Sequence, residues 1–110
     1  AGIPVTHRGL STGLLVISGH DELDVELLAR WRHTIVVLMG MARLGELTAA
    51  LLGEGRDPLT PAAVIHRAWT PHQRVVRAPL KTLTEQVAAA GVGNPAVIVI
   101  GEVANVLAGC

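Results

Sequence analysis

Short apolar runs alternate along this chain with segments of helical period. Leu14-Leu15-Val16-Ile17 is an unbroken apolar run closed by Ser18-Gly19-His20, the pattern of a buried strand. From Asp21 to Trp31, Leu23, Leu27 and Trp31 recur every four residues behind the acidic Asp21, Glu22 and Asp24, which predicts a short helix. Thr34 to Met39, β-branched and unbroken, predicts a second strand. Leu44, Leu47 and Leu51 share one face of a predicted helix over 42–52, and Gly53 and Gly55 stop it. Ala62 to Arg67 predicts a third strand. Trp69-Thr70-Pro71-His72 is a turn signal, and the alternation from Gln73 to Arg77 predicts a half-exposed fourth strand, antiparallel to the third. Pro79 opens a helix with Leu80, Leu83 and Val87 on one face and Gly91 as its stop. Ala96 to Ile100 is a fifth apolar run, and the tail 102–109 is too short to assign.

Continuous apolar strands alternating with helices imply a sheet covered on both faces. The hairpin inside that pattern makes the sheet mixed. The expected fold is one α/β domain over 1–110, with a mixed, mainly parallel five-stranded sheet flanked by helices. If the strands ending in Ser18-Gly19-His20, Met39-Gly40 and His66-Arg67-Ala68 point the same way, their ends form one crevice rim. Small residues there (Gly19, Gly40, Ala68) would let a ligand such as an adenine ring touch main-chain N–H and C=O groups. Ordinary tight turns would use the same residues, and spacing alone does not choose between them.

Composition narrows the class. The chain has 110 residues, 50% of them hydrophobic and 16% charged, with zero formal net charge and a mean hydropathy of +0.47. A disordered chain has low hydrophobicity and high net charge, so that class is excluded. Nine Lys+Arg balance nine Asp+Glu, which lacks the basic excess of a nucleic-acid module. The only aromatics are Trp31 and Trp69, too few for a base-stacking surface. The longest apolar run, from Ile35 to Ala42, falls far below the roughly 18 residues that cross a membrane. Cys110 is the lone cysteine, so a disulfide scaffold is excluded. Ala1-Gly2-Ile3-Pro4 has neither an initiator Met nor a signal layout. The chain reads as one entered in mid-course, and a cytoplasmic location is expected.

Candidate chemistry is sparse. His7, His20, His33, His66 and His72 show no HxH or HExxH spacing, and no metal site is expected. Gly91-x-Gly93-x-x-Ala96 has the letters of a dinucleotide fingerprint but follows a helix and enters a strand, the reverse of the required context. The acidic stretch 21–26 reads as a solvated helix start. Arginine outnumbers lysine eight to one, with Arg8, Arg43, Arg67, Arg74 and Arg77 near predicted strand ends or in the hairpin. Guanidinium groups suit bidentate capture of carboxylates, although a GC-rich coding sequence would give the same bias.

Four segments together resemble the uroporphyrin-III C-methyltransferases, a tetrapyrrole methylase family. Ala1-Gly2-Ile3-Pro4-Val5-Thr6-His7-Arg8 is similar to that family's Gly-Ile-Pro-(Leu/Val)-Thr-His-Arg motif. Thr34 to Gly40 resembles its Thr-(Leu/Ile)-Val-x-x-Met-Gly strand, Thr70-Pro71-His72-Gln73-Arg74 its Thr-x-x-Gln-Arg segment, and Ile98 to Val103 its closing strand. The resemblance implies methyl transfer from S-adenosylmethionine to ring carbons of uroporphyrinogen III, giving precorrin-2 for siroheme and cobalamin synthesis. It implies a two-domain homodimer with the cofactor between the domains. By motif position it implies cofactor contacts at Met39, Ala68 and Pro95, and places His7 and Arg8 near the tetrapyrrole. It names no catalytic acid or base in this chain and no metal. The family's N-terminal domain, with its Gly-Pro-Gly-Asp and Gly-Gly-Asp-Pro loops and its proposed acid/base residues, is absent from these 110 residues. The chain therefore resembles the C-terminal domain of the tetrapyrrole methylase fold, and little turnover is expected of it alone. Two other readings fit the same residues: a non-catalytic dimerisation module of such an enzyme, and a methylase acting on a later precorrin.

Overall fold

Each of the five expected strands forms in the computed structural model, which describes residues 14–19, 23–68 and 70–105. The strands are β1 (Leu14–Ser18), β2 (Thr34–Leu38), β3 (Pro61–His66), β4 (Arg74–Pro79) and β5 (Ala96–Ile100). Three helices connect them: α1 (Val25–Arg30), α2 (Leu44–Gly53) and α3 (Leu83–Ala90). Short 3-10 turns lead into α2 (Met41–Arg43) and α3 (Leu80–Thr82), and a third follows β5 (Glu102–Asn105).

The strand order is β1-β2-β5-β3-β4. Among the described residues, only β1 and β2 pair in parallel. The β2–β5, β3–β5 and β3–β4 pairings are antiparallel. The sheet is mixed, as expected, but mainly antiparallel rather than mainly parallel. The cause lies in the crossovers. Strands joined through a helix do run the same way: β1 with β2, β2 with β3, and β4 with β5. Two of those three crossovers skip a position, however, and an oppositely directed strand fills each gap.

The same geometry corrects the expectation of helices on both faces. From β1 to β3 the chain moves across the sheet in one direction; from β4 to β5 both strand direction and movement are reversed. The two reversals cancel, so a uniform crossover hand places every helix on one side. Leu28 of α1, Leu44, Leu47 and Leu51 of α2, and Leu83 and Val87 of α3 pack there with Ile35, Val37, Val64, Ile98 and Ile100. On the other face Val36, Ala63, Ile65 and Val99 cluster with Ala104 of the final turn. Among the described residues, no α-helix lies on that face.

Helix ends follow local chemistry. The α1 segment starts at Val25, where the Asp24 carboxylate caps it by accepting from the Leu27 N–H at 3.0 Å; the expected start at Asp21 lies outside the described residues. Glu26 and Arg30 form an exposed i,i+4 pair at 3.0 Å. The buried Thr48 hydroxyl meets that of Thr84 at 3.1 Å, joining α2 to the start of α3. Gly91 ends α3 at φ 69. It lies outside any strand-to-helix turn, in keeping with rejection of the dinucleotide fingerprint. A Cβ at Gly91 would meet nothing within 4 Å, so the cost of a side chain there is purely conformational. Gly91→Ala should destabilise the protein by about 1 kcal/mol in chemical denaturation, and Gly91→Asn by less.

At the far edge of the sheet, Arg56 anchors the α2–β3 loop. Its guanidinium donates to the Trp31 carbonyl and to the Thr60 hydroxyl at 3.2 Å. Burial lowers the Arg56 pKa from its ordinary value, against the opposing pull of Glu102 and Asp57. Among the described residues, no helix is long and apolar enough to cross a membrane.

Candidate functional site

Because β1, β2 and β3 run the same way, their C-terminal ends share one edge of the sheet, and the N-terminus of β5 lies at that edge between β2 and β3. With strands about 4.8 Å apart, the chain leaving β2 and the chain leaving β3 stand about 10 Å from each other. Between them is a cavity of about 480 Å³. Its floor is a cross-strand row, Leu38, Val97 and Ile65, on the face that carries no described α-helix. Its rim includes Met39 after β2, Arg67, Ala68 and Thr70 after β3, and Pro95 before β5. The apolar floor suits the face of a flat heterocycle, and polar recognition falls to the rim.

Both strands leave the cavity by an unusual route. Met39 has φ 55 and Arg67 has φ 52, the left-handed region, and neither is glycine. Each such residue costs on the order of 1 kcal/mol and persists only where its surroundings dictate it. At Arg67 the surroundings are explicit. Its N–H donates to the Pro95 carbonyl at 2.9 Å, and its carbonyl accepts from the Thr70 N–H at 3.2 Å and from the Thr70 hydroxyl at 2.7 Å. Met39 is followed by Gly40, and its side chain is 57% exposed.

Two glycines set the β1–β2 end of the rim. The Gly19 N–H donates to the Leu38 carbonyl at 2.7 Å. A Cβ at Gly19 would lie 2.4 Å from the Gly40 Cα and 2.8 Å from the Met39 carbonyl oxygen, both backbone atoms. Gly19→Ala must therefore push the β2 exit aside. It should lower stability by about 2 kcal/mol in urea melts and disturb the Met39 turn with it.

Of the residues suggested by the resemblance, Met39, Ala68 and Pro95 line this one cavity. His7 and Arg8 lie outside the described residues, as do His20, Asp21 and Glu22. The other strand-end arginines have separate surroundings. Arg43 donates to the Gly19 carbonyl at 3.0 Å and pairs with Glu46 at 3.4 Å; both residues line a smaller cavity of about 230 Å³ between β1, α1 and α2. Arg74 donates to the Ala90 carbonyl at 2.8 Å, at the negative end of α3. His66 Nδ1 meets the Gly93 carbonyl at 2.6 Å, bracing the segment before Pro95. Among the described residues, no three His, Cys, Asp or Glu side chains are grouped to hold a metal ion. Thr70, Leu38, Ile65 and Val97 also line the cavity and were not named as candidate contacts from sequence, although Thr70 and Leu38 fall within two of the family-like segments. Strand-end position was the available signal, and it becomes usable only once β5 is known to lie between β2 and β3.

Residues 1–84 match the sequence model of the Tetrapyrrole (Corrin/Porphyrin) Methylases. The chain belongs to that family. A siroheme synthase of Gluconobacter oxydans is 38% identical over 109 residues, covering 94% of this chain and 23% of the relative. A uroporphyrinogen-III C-methyltransferase of Bacillus subtilis is 37% identical over 111 residues, covering 96% of this chain and 43% of the relative. Among solved structures, a Thermus thermophilus uroporphyrin-III C-methyltransferase complexed with S-adenosylhomocysteine superposes with a TM-score of 0.78 at 39% identity, covering 92% of this chain and 47% of that one. This tetrapyrrole methylase chain thus spans less than half the length of the relatives it matches.

Proposed function

We propose that this chain is the cofactor-cradling C-terminal domain of an S-adenosylmethionine-dependent methyltransferase that converts uroporphyrinogen III to precorrin-2, on the route to siroheme or cobalamin. One observation carries the reading: Met39, Ala68 and Pro95, separated widely in sequence, line a single cavity between the ends of β2 and β3. The names of the relatives supply the substrate class.

The cavity fits the adenosyl group by its chemistry. Leu38, Val97 and Ile65 offer an apolar bed, and the chain at Met39 and Ala68 offers main-chain polar groups at its edge. When bound, the sulfonium supplies an activated methyl group for in-line displacement by a substrate carbon. That reaction depends on alignment more than on a strong acid or base. The task of these residues is accordingly to hold the donor in one orientation and to keep water from its apolar side. The rest of the cradle comes from a preceding N-terminal domain, and two copies of the whole protein pair in the cytoplasm. His7 and Arg8 face the tetrapyrrole in this reading.

Calorimetric titration of the full-length protein with S-adenosylhomocysteine, together with turnover on uroporphyrinogen III, tests the proposal. Stoichiometric binding and production of precorrin-2 are expected, with little turnover by the 110-residue chain alone. Absence of binding would remove the cofactor assignment. Binding without turnover on uroporphyrinogen III would move the substrate to another tetrapyrrole.

A further inference from the structure

We infer that Arg67 is a carboxylate-recognising residue of the cavity between β2 and β3, an inference that rests on the cofactor reading above. Arg67 lines that cavity beside Ala68. It is exposed, and its side chain makes no ion pair or hydrogen bond with another described residue. Arg43, Arg56 and Arg74 differ: each spends its guanidinium on main-chain carbonyls of the fold.

Its backbone sharpens the case. At φ 52 the position favours glycine, and the hydrogen bonds to Pro95 and Thr70 use only main-chain atoms of Arg67. Nothing in those bonds requires an arginine side chain. A residue that the fold would accept more readily as glycine instead places a planar, permanently charged fork at the mouth of an otherwise apolar cavity. Such a fork binds carboxylate bidentately. Two ligands of the proposed reaction carry that group: the amino-acid end of the methyl donor and the acid side chains of the tetrapyrrole. The recognised chemistry is the same in both.

The test compares Arg67→Gly and Arg67→Lys with the unchanged full-length protein. Three probes are titrated: S-adenosylhomocysteine, 5′-methylthioadenosine, which keeps the nucleoside and lacks the carboxylate, and uroporphyrin III. Glycine should leave the unfolding midpoint level or higher, because it removes the left-handed side chain. It should weaken one carboxylate ligand about ten- to a hundredfold and leave methylthioadenosine unchanged. Lysine should recover part of the loss. A loss on S-adenosylhomocysteine assigns Arg67 to the methyl donor; a loss on uroporphyrin III assigns it to the tetrapyrrole. Equal affinities of Arg67→Gly and the unchanged protein for both carboxylate ligands overturn the inference. So does a parallel loss on methylthioadenosine, which would mark a general disturbance of the cavity. Failure of the unchanged protein to bind either nucleoside would strike the cofactor reading itself, a result distinct from both.

Discussion

Ala68→Leu should cut S-adenosylhomocysteine affinity at least a hundredfold, about 2.7 kcal/mol, with little change in thermal stability. Ala68 is half-buried at the cavity rim and packs on the edge of the second-face cluster. A branched side chain there must occupy ligand space or force the turn after β3 outward. The turn is held at Arg67 and Thr70 by main-chain hydrogen bonds, so the ligand space is the softer of the two. Calorimetry on the folded variant measures the effect. Unchanged affinity would mean that the nucleoside does not pass Ala68.

The second large effect is on stability. Ile98 is fully buried at the centre of β5, paired with Val37 of β2 and Val64 of β3. Ile98→Ala removes core volume where strands on both sides prevent collapse, at a cost of about 3–4 kcal/mol. For a domain of this size that lowers the melting midpoint by roughly 15–20 °C. Val16→Ala, on β1 with 52% of its surface exposed, should change stability by less than about 0.5 kcal/mol. Thermal melts of the two variants give the comparison. Similar shifts for both would contradict the placement of β5 at the sheet centre.

Much of the fold was legible locally. Apolar runs located four strands and alternation located β4, and the turn residues at 69–72 announced the hairpin that pairs β3 with β4. Gly91 marked the end of α3 because only a residue at ease with φ 69 closes that helix cheaply. Strand neighbours were less legible. The sequence of β5 states that both its faces are buried but not which strands flank it or in which direction it runs. That depends on crossovers that skip a position, and skipping leaves no local trace. The start of α1 was hard to place because Asp21, Glu22 and Asp24 look alike in sequence, while Asp24 makes the cap before Val25.

The candidate site was approached in another way. Met39, Ala68 and Pro95 were reached through family resemblance, and spacing alone did not favour a ligand over tight turns. The left-handed conformation of Arg67 could not be anticipated, since arginine carries no preference for it. It arises from hydrogen bonds to residues three and twenty-eight positions away, Thr70 and Pro95.

The central place of β5 also bears on synthesis. As the chain emerges from the ribosome, β1–β2 and β3–β4 can each pair before residue 96 is made. Neither pair touches the other within the sheet until β5 is threaded between them. A nascent chain stopped short of Ala96 therefore holds two half-sheets with raw inner edges, open to mispairing. Vectorial growth delays cooperative closure to β5, and the cavity between β2 and β3 comes into being at that same moment.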